Sequence, residues 1–316
     1  MLDEGTTRGD ALARVEGRGT AAPRPSGLTA GFLALVLLTY GLIVLGALVR
    51  AHGAGLACPD WPLCFGEFVP AMDLKVAFEW SHRVVAGTVA LSFAALAFWG
   101  WRITGDGDRL RPLFVLAAVL LLVQIVLGAL TVWELLASWT VTSHLLVGNS
   151  IVACFAWIGW ELRDRNAGAP AAAADVAAHA RRWLWVVGGL LLLQMFLGGQ
   201  VSSRYAGLAC PEWPTCNGGL WFPTWQGTVG IHLLHRLNGY ALLGVLLGWA
   251  ATARGTGRLA WLARLAGALG LAQVAVGIAN VVLALPVEVT GLHSALATAL
   301  VLTATLAVRD AWFRHA

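Results

Sequence analysis

The stretch GLACPDWPLC, residues 55–64, recurs as GLACPEWPTC at residues 207–216, with eight of its ten letters unchanged. Three further segments follow each copy in the same order. They are SHRVVAG (81–87) and LHRLNGY (234–240), VQIVLGAL (123–130) and AQVAVGIA (272–279), and VTSHLLVG (141–148) and VTGLHSAL (289–296). Repetition over this length indicates that the chain consists of two copies of one structural unit.

The composition is that of a membrane protein. Hydrophobic residues make up 58% of the 316 residues and charged residues only 12%, about half the share found in soluble domains. Crossing the hydrocarbon core takes about 20 apolar residues per helix, and the sequence contains eight such stretches. They lie near 28–49, 77–101, 112–133, 139–160, 183–203, 229–252, 261–284 and 288–308.

These spans predict an all-α integral membrane protein with eight transmembrane helices in two pseudo-symmetric four-helix bundles. We expect a tail at 1–27, a first bundle at 28–160, a linker at 161–182, a second bundle at 183–308 and a tail at 309–316. Four spans separate the two loop copies, so both halves have one orientation and are related by an axis along the membrane normal.

Basic residues predict the orientation. Of the 21 Lys and Arg residues, 16 lie in the two tails and in the 102–111, 163–182 and 254–264 connections, which the positive-inside rule makes cytoplasmic. Both termini are then cytoplasmic, and the repeated loops face outward. Acidic residues such as Asp3 and Glu4 argue against a mitochondrial transit peptide, which favours a bacterial plasma membrane. The basic pI of about 9.0 reflects this asymmetry and gives no reason to invoke nucleic acid.

Four histidines occupy equivalent places in the repeat. His82 and His235 begin the second helix of each half, and His144 and His293 begin the fourth. Each bundle therefore holds two imidazoles at similar depth near its outer end. Paired histidines on facing helices are a common axial ligand set for haem, so the sequence predicts one haem site per half.

Two other interpretations of these histidines remain. They could be core residues that only make packing contacts, although ionisable residues within a membrane more often have a function. Zinc fits less well, because each pair lacks further nearby ligands apart from Glu79.

Arginine and glutamine accompany the histidines. Arg83 and Arg236 each follow the histidine of a second helix, where a guanidinium suits the propionate carboxylates of a haem; the alternative is an arginine that reaches to lipid headgroups. Gln124 and Gln273 recur in the third and seventh helices, where they either line the haem pockets or form interhelical hydrogen bonds.

The cysteines of the repeated loops are spaced alike, Cys58 with Cys64 and Cys210 with Cys216. On the oxidising side of the membrane such pairs favour two short disulfide loops that cover the bundles. A redox-active thiol pair is the alternative. The tryptophans inside these loops, Trp61 and Trp213, are candidates for packing against a porphyrin edge. Cys154, alone in the fourth helix, is typical of a packing residue.

The chain resembles the haem A synthase family. The resemblance covers about residues 30–308 and includes GLACPDWPLC, EWSHR (79–83), VTSHLL (141–146), QMFLGG (194–199) and LHRL (234–237). Family membership implies oxidation of the C8 methyl of haem o, through a hydroxymethyl, to the formyl of haem a for terminal oxidases. It also implies a haem b cofactor between His235 and His293, with the substrate haem o facing His82 and His144.

Glu79 distinguishes the two halves. It stands three residues before His82, on the same helix face, whereas the residue three before His235 is His232. The family has a glutamate at the Glu79 position, so we expect this carboxylate to handle protons or to stabilise positive charge during methyl oxidation. A structural ion pair with Arg83 or Lys75 is the alternative. His232 is either an alternative ligand or a hydrogen-bonding neighbour of the second site, and we favour the neighbour.

Two other functions would use the same ligands. A dihaem cytochrome b would pass electrons between quinol and a partner, and a haem-handling or export module would need no redox turnover. Expected partners are haem o, the lipid bilayer and, by pathway logic, the haem o synthase and oxidase assembly factors. The sequence leaves the electron donor open.

Overall fold

The computed structural model describes residues 26–169 and 171–313, which contain eight long α-helices. The helices are α1 Ser26–Ala51, α2 Leu74–Ile103, α3 Leu110–Trp133, α4 Ser138–Ala167, α5 Ala174–Ser203, α6 Gly227–Thr252, α7 Arg258–Val282 and α8 Val287–Trp312. A 3₁₀ turn, Ala206–Leu208, follows α5. The described part of the chain has no β-strand, and isolated bridges pair Cys64 with Glu67 and Asn217 with Leu220. The predicted all-α fold is confirmed.

Seven of these helices are long and apolar enough to cross a membrane. The other, α6, is as long, but its first half carries His232, His235, Arg236 and Asn238, and it does not meet the same apolar criterion. Since α6 packs between α5 and α7, it completes the second bundle. Polar residues inside a membrane are expensive and are retained mainly for function, so the composition of α6 points to a site.

The helices near the middle and the end of the chain are longer than the predicted spans. Helix α4 continues to Ala167 and α5 begins at Ala174, so the connection predicted at 161–182 shrinks to the few residues between them. The added turns carry charged side chains that are paired with one another, as in the ion pair of Arg165 with Glu161. Paired charges let a helix continue past its apolar stretch.

The helices form two rings that meet along two edges. Helix α1 packs on α2 and α4, and α3 packs on α4; likewise α5 packs on α6 and α8, and α7 packs on α8. Between the halves, α1 contacts α8, α4 contacts α5, and α4 contacts α8. Exchanging the halves reproduces this pattern, as a pseudo-two-fold axis between α4 and α8 requires.

One seam departs from this symmetry. Helix α6 packs closely on α7, whereas the equivalent helices of the first half, α2 and α3, make few contacts. The halves therefore have the same topology but differ in how completely their rings are closed.

Each half has its own apolar core, and both cores lie away from the repeated loops. In the first half the core includes Phe32, Phe93 and Phe155, and in the second it includes Leu246 and Trp249. We call the end of the molecule that carries the two disulfide loops the disulfide end. The histidines lie between the apolar cores and the disulfide end, and this region of each bundle contains polar residues.

Polar contacts join the halves near the axis. Thr298 donates a hydrogen bond of 3.1 Å to the Asn149 side chain, and both residues are buried. Each stands five residues after the histidine of its helix, so the pair occupies equivalent positions. Gln200 of α5 donates to the Thr142 hydroxyl of α4 at 3.0 Å. Buried hydrogen bonds of this kind fix the register of α4 against both α5 and α8.

A buried ion cluster joins the halves at the end opposite the disulfides. Arg309 of α8, which is 1% exposed, donates to Asp164 at 2.6 Å and to Glu161 at 2.7 Å, both on α4. Arg258 at the start of α7 binds Asp164 through both carboxylate oxygens and also pairs with Asp310. The negative charges of the carboxylates and the positive charges of the guanidiniums neutralise one another here, because buried charges are tolerated only when they are paired.

Candidate haem sites and their disulfide loops

Helices α6 and α8 bring His235 and His293 together. Their ring centroids are 6.4 Å apart, with 62° between the ring planes. A metal–imidazole bond is about 2 Å long, and the ring centre lies about 1 Å behind its nitrogen, so two imidazoles on one metal have centroids roughly 6 Å apart. The observed separation therefore fits two axial ligands of one haem iron.

The first half places His82 on α2 and His144 on α4, at the positions equivalent to His235 and His293 in the second half. The ring of each lies against a glycine of a neighbouring helix. A Cβ at Gly46 would meet the His82 ring at 3.0 Å, and one at Gly128 would meet the His144 ring at 3.5 Å.

The second half repeats this cradle. A Cβ at Gly198 would lie 3.2 Å from the His235 ring, and one at Gly277 would lie 3.3 Å from the His293 ring. Four histidines, each beside a glycine, thus recur at equivalent positions. Because glycine has no side chain, the backbone of the neighbouring helix can lie close to each imidazole ring. This contact sets the position of the ring.

Glutamines contact three of the four imidazoles. Gln124 lies 3.2 Å from His144 Nε2, and Gln273 lies 3.3 Å from His293 Nε2. From the sequence these two glutamines could either line the haem pockets or form interhelical hydrogen bonds. In the structure each one contacts a histidine on the next helix. Gln194 of α5, which sequence reasoning missed, lies 3.2 Å from His235 Nδ1.

Several polar atoms at the two sites are buried without a partner. They are Nδ1 of His82, His144 and His293 and the side-chain oxygens of Gln124 and Gln273. Leaving such atoms unpaired costs about 1–3 kcal/mol each. Unsatisfied imidazoles and amides on facing helices fit a further polar or metal-containing group at each pair, and the histidine spacing fits a porphyrin iron.

Glu79 and Arg83 hold the first disulfide loop on α2. One Glu79 oxygen accepts a hydrogen bond of 2.9 Å from the Cys58 backbone N–H, and the other pairs with Arg83 at 2.6 Å. The Arg83 guanidinium also donates to the carbonyls of Asp60, Leu63 and Cys58. The structure therefore shows the ion pair with Arg83 that was the alternative role of Glu79, and it places Arg83 against loop carbonyls.

The second loop is held in the same way with a different chemical group. The Cys210 N–H points to His232 Nδ1 at 3.3 Å, and Arg236 Nε lies 3.2 Å from His232 Nε2. Arg236 also donates to the carbonyls of Cys210, Glu212 and Thr215. His232 thus takes the place of Glu79 between the loop and the arginine.

Disulfides close both loops, Cys58 with Cys64 and Cys210 with Cys216. Within the loops, Asp60 accepts hydrogen bonds from the N–H groups of Phe65 and Gly66, both at 2.7 Å. The Gly66 hydrogen bond is the largest cause that lowers the pKa of Asp60 below its ordinary value.

In the second loop a glutamate takes the place of Asp60 as the acceptor of backbone hydrogen bonds. Glu212 accepts from the N–H groups of Gly218 and Gly219 and from the Thr215 hydroxyl. These bonds, with that of Gly219 first, lower the pKa of Glu212. The Asp-for-Glu exchange between the repeats therefore conserves an anion that binds backbone N–H groups.

The loop tryptophans differ between the halves. Trp61 packs edge-on against Trp133 with ring centroids 6.1 Å apart. Trp213 instead donates a hydrogen bond of 3.1 Å to the hydroxyl of Tyr240 on α6. The lone Cys154 is buried among apolar residues of the first core.

Comparison with known proteins agrees with this arrangement. Residues 31–305 match the family described as Cytochrome oxidase assembly protein. The chain is 31% identical to Heme A synthase of Shewanella oneidensis, over 85% of this chain and 92% of that protein. It is 30% identical to Heme A synthase of Shouchella clausii, over 83% and 89%.

A shorter match involves a different enzyme. The chain is 36% identical to Protoheme IX farnesyltransferase of Halobacterium salinarum over 37% of this chain and 27% of that protein. The family match covers most of the chain, including both histidine pairs and both loops. The chain therefore belongs to the Cytochrome oxidase assembly protein family.

Proposed function

We propose that this protein is a haem A synthase, a membrane enzyme that oxidises the C8 methyl of haem o to a formyl group by way of a hydroxymethyl. The observation that carries this proposal is the doubled pair of histidines, one pair per half, in a chain that matches Heme A synthases over most of its length. The porphyrin iron supplies the oxidation chemistry when bound, and the protein positions it and manages charge.

The two halves have different roles. We assign haem b to His235 and His293 and the substrate haem o to His82 and His144. The asymmetric residue supports this division, because Glu79 gives the first half a carboxylate where the second half has the imidazole of His232. A carboxylate one turn from a histidine is placed to stabilise positive charge or to hold a proton near the reacting methyl.

Glu79 also keeps the loop in place while it carries this charge. Its ion pair with Arg83 and its bond from the Cys58 N–H fix the carboxylate at the boundary between the loop and the site. Arg236 adds a positive charge beside the second site, of the sign that propionates require, whereas the charge of Arg83 beside the first site is paired with Glu79. Their hydrogen bonds to loop carbonyls set where these charges lie.

The protein is a multi-pass membrane protein, and we propose that its disulfide end faces the outside of a bacterial plasma membrane with both termini in the cytoplasm. The distribution of Lys and Arg supports this orientation, and disulfides persist in an oxidising compartment. The similarity of one segment to part of a Protoheme IX farnesyltransferase supports a haem o supplier as a partner in the same membrane. Oxidase assembly factors are further proposed partners.

The experiment is to express the protein in cells that make haem o but lack any other haem A synthase. Extracted haems are then separated and identified by mass. Hydroxymethyl and formyl haem are expected, and they should disappear in a His82→Ala variant. Haem o left unchanged by well-expressed, haem-loaded protein would favour electron transfer or haem handling instead.

A further inference from the structure

We propose that the seam between α2 and α3 receives the isoprenoid chain of the substrate haem, whereas the equivalent seam between α6 and α7 is closed and excludes such a chain. The inference rests on the proposed function, because only a farnesylated haem needs the opening. It assigns to each half the class of haem that it admits: a tailed haem in the first and a tail-free haem in the second.

The α6–α7 seam is filled by leucines packed on glycines. A Cβ at Gly270 of α7 would lie 2.9 Å from the side chain of Leu246 and 3.3 Å from that of Leu243. One at Gly267 would lie 3.0 Å from the Ala250 Cβ and 3.7 Å from the Leu247 side chain. Small residues on one helix let the other approach closely, so these two helices seal the bundle.

The α2–α3 seam lacks part of this seal. Counted from His82 and His235, Leu243 and Leu247 correspond to Ala90 and Ala94 of α2, whereas Leu246 and Ala250 correspond to Phe93 and Ala97. Counted from Gln124 and Gln273, the α7 glycines correspond to Ala118 and Leu121 of α3. Two leucines of the seal are therefore shortened to alanine on α2, and the glycines that would bring the two helices together are missing from α3.

The contacts that α2 and α3 do make lie far from the disulfide end. A Cβ at Gly100 would meet the Phe114 ring at 2.7 Å, and Arg111 donates to the Thr104 carbonyl at 2.7 Å. These residues mark the end of α2 and the start of α3. These contacts join the two helices at the end of the bundle away from the histidines, and α2 and α3 make few contacts in all.

A tyrosine closes the second half where the first has a glycine. Tyr240 of α6 accepts the Trp213 hydrogen bond and so ties the helix to its loop. Its counterpart is Gly87, at which a Cβ would meet nothing within 4 Å. Trp61, the counterpart of Trp213, packs on Trp133 instead. The loop of the first half is therefore not tied to α2 by its tryptophan.

The half with the loosely packed seam also contains polar atoms that lack partners. Nδ1 of His82 and Nδ1 of His144 are buried without a hydrogen bond in the same half. In the second half Asn238 donates to Gln194 at 2.7 Å beside His235. The first half has apolar Val85 and Leu42 at the positions of these two residues, which suits a hydrocarbon chain.

Lipid chains are as apolar as the chain of haem o, so placing that chain in the seam gains little free energy compared with leaving it in the bilayer. The opening therefore provides room, and closing it should exclude the tailed haem by steric clash. A filled seam should leave a tail-free haem unaffected. This difference separates the proposal from general damage to the site.

The test uses full-length protein in lipid nanodiscs and the double variant Ala90→Leu/Ala94→Leu. Absorption titrations measure the affinity of the first half for haem o and for protohaem, which lacks the chain. We expect affinity for haem o to fall about tenfold or more, as overpacking would cause, while affinity for protohaem stays within experimental error. Unchanged haem b content in the second half shows that the variant is folded.

Ala95→Leu is the matched control. It makes the same change at an exposed residue beside Ala94, and its counterpart Gly248 faces Trp183 of α5 and not α7. The control should bind haem o as the wild type does. Equal loss of both haems in the double variant, or no loss of haem o, would overturn the seam proposal.

The reciprocal variant opens the second half. Leu243→Ala/Leu247→Ala/Tyr240→Gly should admit haem o to the His235–His293 site, detected as haem o in the extract of His82→Ala protein. Exclusion of haem o from that site would contradict the proposal. Wild-type protein that binds haem o through the seam but never oxidises it would overturn the proposed function alone, and wild-type protein that binds only protohaem would overturn both.

Discussion

His232 stands in α6 where Glu79 stands in α2, and each lies within 3.3 Å of the backbone N–H of the first cysteine in its loop. Each side chain lies between a loop N–H and an arginine, but the carboxylate accepts from both groups, whereas a neutral imidazole can accept from only one of them. Glu79 neutralises Arg83, whereas His232 leaves the charge of Arg236 uncompensated by any carboxylate in its hydrogen bonds. The repeat therefore keeps the geometry of the loop and changes the electrostatics of the site.

Glu79→Gln should lower the oxidation of haem o by about 100-fold, the range typical of a general acid or base. The amide retains the shape of the side chain and can still accept the Cys58 hydrogen bond, but it carries no charge. Product formation is measured by haem extraction, with haem content as a second readout. His232→Gln, the matched change in the other half, should retain most of the activity. Full activity of Glu79→Gln protein with normal haem content would leave this residue only its structural ion pair.

Removal of either ligand of the second half should abolish its haem b. We expect His235→Ala and His293→Ala to lose the absorption spectrum of a low-spin bis-histidine haem, because one axial ligand is missing. His144→Ala should keep that spectrum while losing the oxidation of haem o. Loss of the spectrum in the His144 variant, with the two others intact, would reverse the assignment of the halves.

Arg309→Met should destabilise the protein by about 3–5 kcal/mol, the cost of removing one partner from a buried ion cluster. The substitution keeps the volume of the side chain but exposes Asp164 and Glu161 to each other without the shared cation. Unfolding of purified protein in detergent measures the effect. Glu134→Gln, at an exposed position between α3 and α4, is the control and should change stability little. Equal stability of both variants would mean that water or lipid headgroups compensate the cluster.

The first loop should loosen in acid. Because the folded-state pKa of Asp60 lies below its unfolded value of about 4, its stabilising hydrogen bonds are fully present above that value. They are lost as the pH falls through the folded pKa. Hydrogen exchange of the Gly66 region, corrected for intrinsic rates, should accelerate at low pH in wild-type protein. Asp60→Asn protein should show little of this pH dependence, and a pH-independent wild type would contradict the prediction.

The repeat made much of this architecture predictable. The eight helices, the pairing of histidines within each half and the two disulfides follow from segments that recur at fixed places. Equivalence by repetition also singled out Gln124 and Gln273. It could not reveal Gln194, since its counterpart in the first half is Leu42, and a residue present in one copy gives no repeat signal.

Other features depend on three-dimensional packing. Arg309, Asp164 and Arg258 looked like ordinary residues at helix ends, and only the approach of α4 to α8 shows that they form one buried cluster. The prediction that Arg83 and Arg236 bind haem propionates rests on the fact that each directly follows a histidine in the sequence. In the structure each loop folds back over its helix and places carbonyl groups around the guanidinium. The spacing of residues within the helix cannot predict this contact.

The buried ion cluster also bears on how such a doubled protein arises. Arg309 stands sixteen residues after His293, and the residue sixteen after His144 is Trp160. Two identical halves that associated as a dimer would place the same residue on both sides of the axis and could not form this one-sided cluster. The cluster thus requires two halves that differ in sequence, and it commits each half to its present companion.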